Sequence, residues 1–244
     1  DPAEVVRTGR RCAMNVQGVE VDDIHRGDVV CRPGTLFPSR RWLVRLSSLG
    51  SAPRPLRQRT EVHFHHGTRE CAARVRFYDR DKLAPGESCL AELRFSEDMV
   101  GLFGDHCVLR AYSPLRTVAG GIVVSPLPPE LRARDPQRAE KLALLNRLPE
   151  LAAPDYLTAH TASDLVAAAL ELAGAAGADV PHLQALTGLG ATPLQKCLQD
   201  MASRGKVICW DKESRSWITS PALQQLLDAC VARAGQCHTK DPLK

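Results

Sequence analysis

Arginine is concentrated in one stretch of this chain, between residues 40 and 76. The stretch carries nine arginines but only two acidic residues, Glu61 and Glu70, and its net charge of +7 exceeds the +4 of the whole chain. Guanidinium groups pair with phosphate oxygens in a planar fork, so a cluster of this size favours a polyanion, and nucleic acid first among polyanions. A solvated basic face without a ligand is the simpler alternative.

Residues 107–124 place a cation beside a bare piece of backbone. Two runs rich in strand-forming residues flank a Ser-Pro turn, which predicts an antiparallel pair of strands. Arg116 and Thr117 open the second run, and Gly120 and Gly121 follow shortly afterwards. Because glycine in a strand allows another molecule to approach the backbone closely, we predict an anion-binding strand here. A glycine-kinked hairpin in an ordinary barrel is the alternative.

Three histidines at positions 63, 65 and 66 raise the question of a metal. On a strand His63 and His65 share one face while His66 points away, so at most two ligands converge and a third must be borrowed. We therefore expect no metal site, and we place His65 and His66 on a basic surface near RNA. The nine cysteines are odd in number and lack C-x-x-C spacing, which predicts reduced thiols.

The sequence contains no phosphate-binding loop. Its one Gly-Lys dipeptide, Gly205-Lys206, is followed by Val207 and lacks the upstream glycine of the G-x-x-x-x-G-K-[ST] pattern. We therefore expect that these 244 residues neither hydrolyse nucleotide nor hold a cofactor. There is no signal peptide and no apolar run of about 18 residues, so we predict a cytoplasmic protein without a membrane partner.

A series of short strands is predicted between Arg41 and Pro126, separated by turns that contain glycine or proline. This spacing, with few helical signals, is typical of a small closed barrel. Residues 1–39 predict two further strands around a short helical turn at Asp22–Arg26. The six barrel candidates are Trp42–Leu46, Glu61–His66, Ala72–Tyr78, Ser88–Phe95, Cys107–Tyr112 and Thr117–Val124.

The composition changes after Pro126, where a proline-rich stretch predicts a stiff linker. Helical periodicity then predicts helices at 164–173, 181–187 and 193–204, followed by a hairpin of 207–210 and 216–219, which is the winged-helix order. Nearby acidic residues offset the cations of the last helix and the wing, so the signal for RNA contact is weak there. The candidate RNA-contacting residues are Gln195, Lys196, Gln199, Arg204, Lys212 and Arg215.

Over nearly its full length, and most strongly at residues 13–34, 59–68 and 107–124, the chain resembles translational GTPases of the EF-Tu kind, and most of all the SelB family of selenocysteine-specific elongation factors. The resemblance implies a mixed fold, β then α, within a piece of a longer protein. It implies the C-terminal remnant of an EF-Tu-like domain II at 1–39, a six-stranded domain III-like β-barrel at 40–127, a Pro-rich linker and helix at 128–160, a winged-helix domain at 161–235, and a connector to a next winged helix at 236–244.

The resemblance also implies a function. The whole protein would bind selenocysteinyl-tRNA and deliver it to the ribosome at UGA codons marked by an mRNA hairpin. It would use GTP and Mg²⁺ in a domain outside this chain, and its later winged helices would bind the hairpin. The barrel would contact the T-stem backbone of the tRNA. The residues implied in that contact are Arg57, Arg59, His65, His66, Arg116, Thr117, Gly120 and Gly121.

Two other classes of protein stay open at this point. One is a winged-helix DNA-binding transcription regulator with a β-barrel sensor domain. It would need a markedly basic recognition helix, whereas the positive charge of this chain is predicted on the barrel. The other is a protein-binding scaffold on which the arginines form a solvated face.

Overall fold

A computed structural model describes residues 5–132, 134–148, 150, 159–211 and 213–240. Its strands are β1 (Ser39–Ser48), β2 (Leu56–Arg57), β3 (Glu61–His66), β4 (Arg69–Phe77), β5 (Lys82–Leu83), β6 (Ser88–Met99), β7 (His106–Ala111), β8 (Arg116–Ser125), β9 (Ala178–Asp179), β10 (Val207–Asp211) and β11 (Ser216–Thr219). Its α-helices are α1 (Arg138–Arg147), α2 (Ala159–Ala173), α3 (Val180–Thr187), α4 (Ala191–Ser203) and α5 (Ser220–Lys240). Short 3₁₀ turns lie at Val21–Asp23 and Gly174–Ala176.

Six strands close into an antiparallel barrel in the order β1-β6-β4-β3-β7-β8. Side chains alternate between inside and outside, and the interior is filled by fully buried residues such as Trp42, Phe64 and Leu109. Burial of these apolar side chains against one another stabilises the closed barrel. The predicted fold class, a six-stranded barrel followed by helices, is confirmed.

The helices do not hang from a free linker, because one outer face of the barrel is apolar and packs against them. A second core lies on that face. It contains Leu43 of β1, Leu90 of β6 and Val124 of β8, which pack with Leu145 of α1 and Leu165 of α2. Within the stretch predicted as a linker, Leu131 and Leu148 are also buried in this core. The joint between barrel and helices is therefore packed.

The helical module, residues 159–240, has a core of its own. Leu170, Leu183, Leu194 and Leu198 pack where α2, α3 and α4 meet. The hairpin β10–β11 follows α4, and β9 pairs with β11 on the other side. This is the element order predicted for a winged helix. Within the predicted connector, α5 continues to Lys240, and residues 241–244 lie outside the described residues.

The prediction of two strands within residues 1–39 is wrong for the described residues 5–38, where the one regular element is the 3₁₀ turn at Val21–Asp23. A strand needs a neighbour to pair with, and the apolar side chains of Val19 and Val30 stay exposed here instead of packing on a sheet. The segment contacts the rest of the chain at Asp28, whose carboxylate lies 3.2 Å from the Arg69 guanidinium, and at Phe37, whose ring stacks on that of His182 with the centroids 4.0 Å apart.

Among the described residues, no helix has both the length and the apolar character needed to cross a membrane.

Candidate nucleic-acid interface

One end of the barrel gathers all three arginines predicted to bind tRNA. The strands β3, β7 and β8 are neighbours, and at this end β3 begins, β7 ends and β8 begins. Two strand spacings, about 10 Å, therefore separate β3 from β8. We name the exposed or half-exposed arginines at this end the arginine rim: Arg57, Arg59, Arg110 and Arg116.

The backbone fixes the positions of these arginines. Arg59 precedes β3, and its amide donates a hydrogen bond of 2.8 Å to the Val75 carbonyl. Its φ of +63° is unusual for a residue other than glycine, and it turns the chain sharply into the strand. Arg116 lies opposite Ala111 at the start of β8. The rim is thus built by strand ends and by the short turn between β2 and β3.

The rim arginines have no carboxylate partner among the described residues. Elsewhere on the barrel, several arginines are neutralised by close ion pairs: Arg40 lies 2.9 Å from Asp98, and Arg74 lies 3.2 Å from Glu61. An exposed guanidinium without an internal partner keeps all its donors available for phosphate oxygens. Four arginines that lack an ion-pair partner among the described residues are therefore gathered at this one end.

Arg110 belongs to the rim although its role was not predicted from the sequence. It lies opposite Thr117 on one side and opposite His63 on the other, so all three residues share the outer surface. The alternation of Val108, Leu109 and Arg110, with the leucine fully buried, is the sequence signal that places the arginine outside.

The two predicted glycines face opposite sides of the barrel wall. A β-bulge between the pairs Leu109–Ala119 and Arg110–Thr117 turns Val118 and Ala119 both inward and sets the alternation that follows. A Cβ added to Gly120 would meet only the Cys107 carbonyl oxygen, at 3.7 Å. One added to Gly121 would overlap the Val44 side chain.

Gly120 therefore opens the outer surface of the barrel, as predicted for an approaching anion. Gly121 does not open it, because its missing side chain is required by core packing. The inclusion of Gly121 as part of an outward notch is corrected on this ground.

The predicted histidines are not brought together with the rim as a group. His63 Nδ1 and His65 Nδ1 lie 3.0 Å and 3.8 Å from the Glu70 carboxylate on the outer face of β3 and β4. His66 Nε2 lies 3.0 Å from Asp105 Oδ2 at the opposite end of the barrel, and its ring packs edge-on against Trp42. Five residues separate His66 from the start of β3, about 17 Å along a strand.

His66 therefore has a structural partner and lies far from the rim, so its predicted position near RNA is not part of the rim. His65 lies between the two ends and already faces a carboxylate. Within the part of the chain that the structure describes, no group of three histidine, cysteine or acidic side chains is arranged to hold a metal ion.

Tyr112 adds an aromatic ring to the rim, which was not predicted. It is 45% exposed, and its ring lies 3.9 Å from that of His63, centroid to centroid. Partial desolvation and the Glu61 carboxylate raise the pKa of Tyr112, so its hydroxyl stays protonated as a donor. Aromatic rings beside arginines are typical of nucleic-acid-binding surfaces.

The helical module offers a weaker surface. On α4, Gln195, Lys196 and Gln199 are exposed as predicted. Arg204 is exposed but lies 3.1 Å from Asp200, which neutralises it. Arg215 is exposed in the hairpin, and Lys212 lies outside the described residues. This face therefore lacks the concentration of unpaired cations found on the barrel rim.

Comparison with known proteins agrees with this architecture. Residues 43–130 match the family model of the selenocysteine-specific elongation factor, beta-barrel domain. The matched residues include the rim and the whole barrel except for the first residues of β1. The barrel is therefore of the kind found in translation factors.

Two curated relatives extend the match. The chain is 39% identical over 242 residues to the selenocysteine-specific elongation factor of Desulfomicrobium baculatum, covering 99% of this chain and 36% of that protein. It is 32% identical over 160 residues to the protein of the same name from Escherichia coli strain K12, covering 65% of this chain and 24% of that protein. The chain thus belongs to the selenocysteine-specific elongation factor family, and it spans about a third of the length of its Desulfomicrobium relative.

Proposed function

We propose that the arginine rim binds the phosphate backbone of tRNA, and that this chain is the tRNA-binding part of a selenocysteine-specific elongation factor. The observation that carries the proposal is the contrast in pairing: the rim arginines lack carboxylate partners among the described residues, whereas Arg40, Arg69 and Arg74 have them. Thr117 and Gly120 extend the same surface with a hydroxyl and an uncovered backbone.

Contacts of this kind position a nucleic acid without reading its sequence, because phosphate oxygens are the same at every nucleotide. A rim about 10 Å wide suits the backbone of one RNA strand. The choice of tRNA then depends on other parts of the whole protein. Among RNA classes, we infer selenocysteinyl-tRNA from membership of the family.

The whole protein, on this proposal, delivers selenocysteinyl-tRNA to the ribosome in the cytoplasm at UGA codons marked by an mRNA hairpin. GTP hydrolysis with Mg²⁺ would take place outside these 244 residues, whose sequence has no phosphate-binding loop. The mRNA hairpin would be bound by later winged helices. The module described here would mainly hold those helices at a fixed position, because its joint with the barrel is packed.

The experiment that tests the rim is a salt titration of tRNA binding. The chain is titrated into fluorescently labelled tRNA between about 50 and 200 mM salt, where counterion release makes log K fall linearly with log salt. With three or four phosphate contacts we expect a slope of about −2 to −4. A flat affinity over this range would overturn the proposal.

Matched triple variants locate the binding surface. We expect that changing Arg57, Arg59 and Arg116 together to glutamine reduces the magnitude of the slope of log K against log salt by about two to three. The control variant changes three paired arginines, Arg40, Arg74 and Arg80, to glutamine, and removes the same formal charge. Equal loss in both variants would show that net charge, and not the rim, governs binding.

Competition distinguishes RNA from DNA. Unlabelled tRNA should displace the labelled tRNA at lower concentration than duplex DNA does, since the rim gathers four unpaired arginines whereas α4 carries a single cation, Lys196. Stronger competition by duplex DNA would favour a transcription regulator.

A further inference from the structure

A cavity of about 380 Å³ lies between the barrel and the helical module. Its walls come from the end of β8, from Leu148 just after α1, from α2 and the 3₁₀ turn that follows it, and from β9 and α3. Small residues such as Ala173 and Ala176 leave the space open, and Leu172 and Leu186 supply apolar walls. This volume is in the range of pockets that hold small molecules, about 300–1,000 Å³.

The barrel side of the cavity carries a buried hydroxyl without a partner. Ser125 is only 2% exposed, and its Oγ has no hydrogen-bond partner among the described residues. The same residue lines the cavity. A buried hydroxyl that makes no hydrogen bond is unfavourable and uncommon in native proteins, so a group that supplies the missing bond would be stabilised there.

The side formed by the helical module carries a carboxylate. Asp179 Oδ1 accepts hydrogen bonds from the His182 amide at 2.8 Å and from His182 Nδ1 at 2.6 Å. Its second oxygen accepts none from the described residues. No lysine or arginine belongs to the described lining, whose ionisable groups are Asp179 and His182. The cavity therefore favours a cationic ligand group over an anionic one.

We propose that this cavity binds a small, mainly apolar molecule with an amino group at one end and a hydroxyl at the other. The amino group donates to Asp179, the hydroxyl pairs with Ser125, and the apolar body lies between the leucine side chains. Because Ser125 ends the last barrel strand and Asp179 begins α3, such a ligand contacts both halves of the chain. Its binding would add contacts across the packed joint between the barrel and the helical module.

Tyramine is the probe, because a ring separates its amino group from its hydroxyl. The whole chain is titrated calorimetrically with tyramine, with phenylethylamine, which lacks the hydroxyl, and with 3-(4-hydroxyphenyl)propionate, which lacks the amino group. We expect tyramine to bind about fivefold to tenfold more tightly than phenylethylamine, the effect of one hydrogen bond, and the propionate not to bind. Absence of tyramine binding, or equal binding of the propionate, would overturn the proposal.

Variants assign the binding to the cavity. Ala173→Leu fills the space and should abolish tyramine binding. Ser125→Ala should remove the advantage of tyramine over phenylethylamine, whereas Ser47→Ala, which changes an exposed serine of β1, should not. Unchanged tyramine affinity in both the Ala173 and Ser125 variants would place the binding elsewhere and refute the assignment.

The charge is tested by Asp179→Asn, which keeps a residue suited to cap α3. It should weaken tyramine about tenfold, while Asp200→Asn on the surface of α4 should leave the affinity unchanged. Thermal unfolding confirms that each variant is folded. The outcome is independent of tRNA binding, because the cavity and the arginine rim share no residue.

Discussion

His66 Nε2 lies 3.0 Å from Asp105 Oδ2, and the pair ties the end of β3 to the turn before β7. The same carboxylate oxygen accepts the amide of Leu102 at 2.8 Å. Burial opposes the charged form of Asp105, but the hydrogen bonds from His66 and Leu102 outweigh it and lower the pKa of this carboxyl group. The ionised carboxylate is therefore part of the folded barrel.

The lowered pKa of Asp105 predicts how the stability depends on pH. A carboxyl group whose pKa is lower in the folded state stabilises fully above its unfolded pKa of about 3.9, and this contribution is lost as the pH falls through the folded pKa. We expect Asp105→Asn to lower the free energy of unfolding by about 1–2 kcal/mol at pH 7. Urea unfolding at pH 7 and at about pH 3 measures the difference, which should shrink in acid.

Asp98→Asn is the control for that measurement, because Asp98 is exposed and, among the described residues, pairs only with Arg40. Its effect should stay small at both pH values. A cost of Asp105→Asn that is the same at pH 7 and in acid would show that the carboxylate charge does not contribute.

Gly120 and Gly121 are adjacent but are expected to respond in opposite ways to alanine. Gly121→Ala forces a methyl group into Val44 and should destabilise the chain by about 1–3 kcal/mol. Gly120→Ala has room and should leave the stability nearly unchanged, yet a methyl group on the outer surface should weaken tRNA binding. Chemical denaturation and the tRNA titration together check the pair. Equal destabilisation by both substitutions would contradict the assigned facing of the two residues.

Much of the barrel could be predicted from the sequence, because a closed wall forces alternation. In β3, Val62 and Phe64 are buried while His63 and His65 face outward, as the period of two requires. The prediction of strands was wrong for the described residues before β1. Residues 5–38 contain apolar runs, but an extended run becomes a strand only when another strand lies beside it, and pairing is not encoded in the run itself.

The candidate site was harder to predict than the fold. The sequence shows where arginines cluster, but their availability depends on which carboxylate lies across the neighbouring strand. Glu61 lies opposite Arg74 and neutralises it, a register that follows from the β3–β4 hairpin. Gly121 was misassigned for a related reason: the bulge at Val118 shifts the alternation by one residue, and a bulge leaves no clear signal in the sequence.

Arg110→Gln tests the rim residue that was not predicted from the sequence. If its guanidinium contacts a phosphate, the substitution should weaken tRNA binding uniformly and reduce the salt slope by about 1. Arg74→Gln is the matched control, since Arg74 is already paired with Glu61. Fluorescence titration at several salt concentrations gives both slopes. If Arg74→Gln had the larger effect, the boundary of the rim would be wrong.

The cysteines should divide by burial in their reactivity toward iodoacetamide. Burial raises the pKa of the Cys71 and Cys107 thiols to about 12 and that of Cys89 to about 11, so very little reactive thiolate forms at pH 8. Mass spectrometry of the native chain should find these three unmodified after the exposed cysteines have reacted, namely Cys12, Cys31, Cys230 and Cys237. Rapid labelling of Cys107 without denaturant would show that the barrel opens.

Tyr78 links the barrel to α1. We expect its hydroxyl to contribute to the free energy of unfolding in addition to the packing of its ring. The hydroxyl donates to Glu92 at 2.6 Å, and Glu92 is only 2% exposed. The Arg138 guanidinium of α1 lies 5.8 Å from the centre of the same ring. Burial opposes ionisation of Glu92, but hydrogen bonds from Tyr78 and Arg94 prevail and lower its pKa, so Tyr78 supports a buried charge.

Tyr78→Phe therefore removes a donor from a buried carboxylate while keeping the ring. We expect a loss of about 1–3 kcal/mol in the free energy of unfolding at pH 7. Tyr112→Phe removes a half-exposed hydroxyl at the rim and should cost less than about 0.5 kcal/mol. Urea unfolding followed by tryptophan fluorescence measures both variants. Because Tyr78 packs against α1, the same substitution should also raise hydrogen exchange in α1, whereas a loss confined to the barrel would mean that the ring and not the hydroxyl holds the joint.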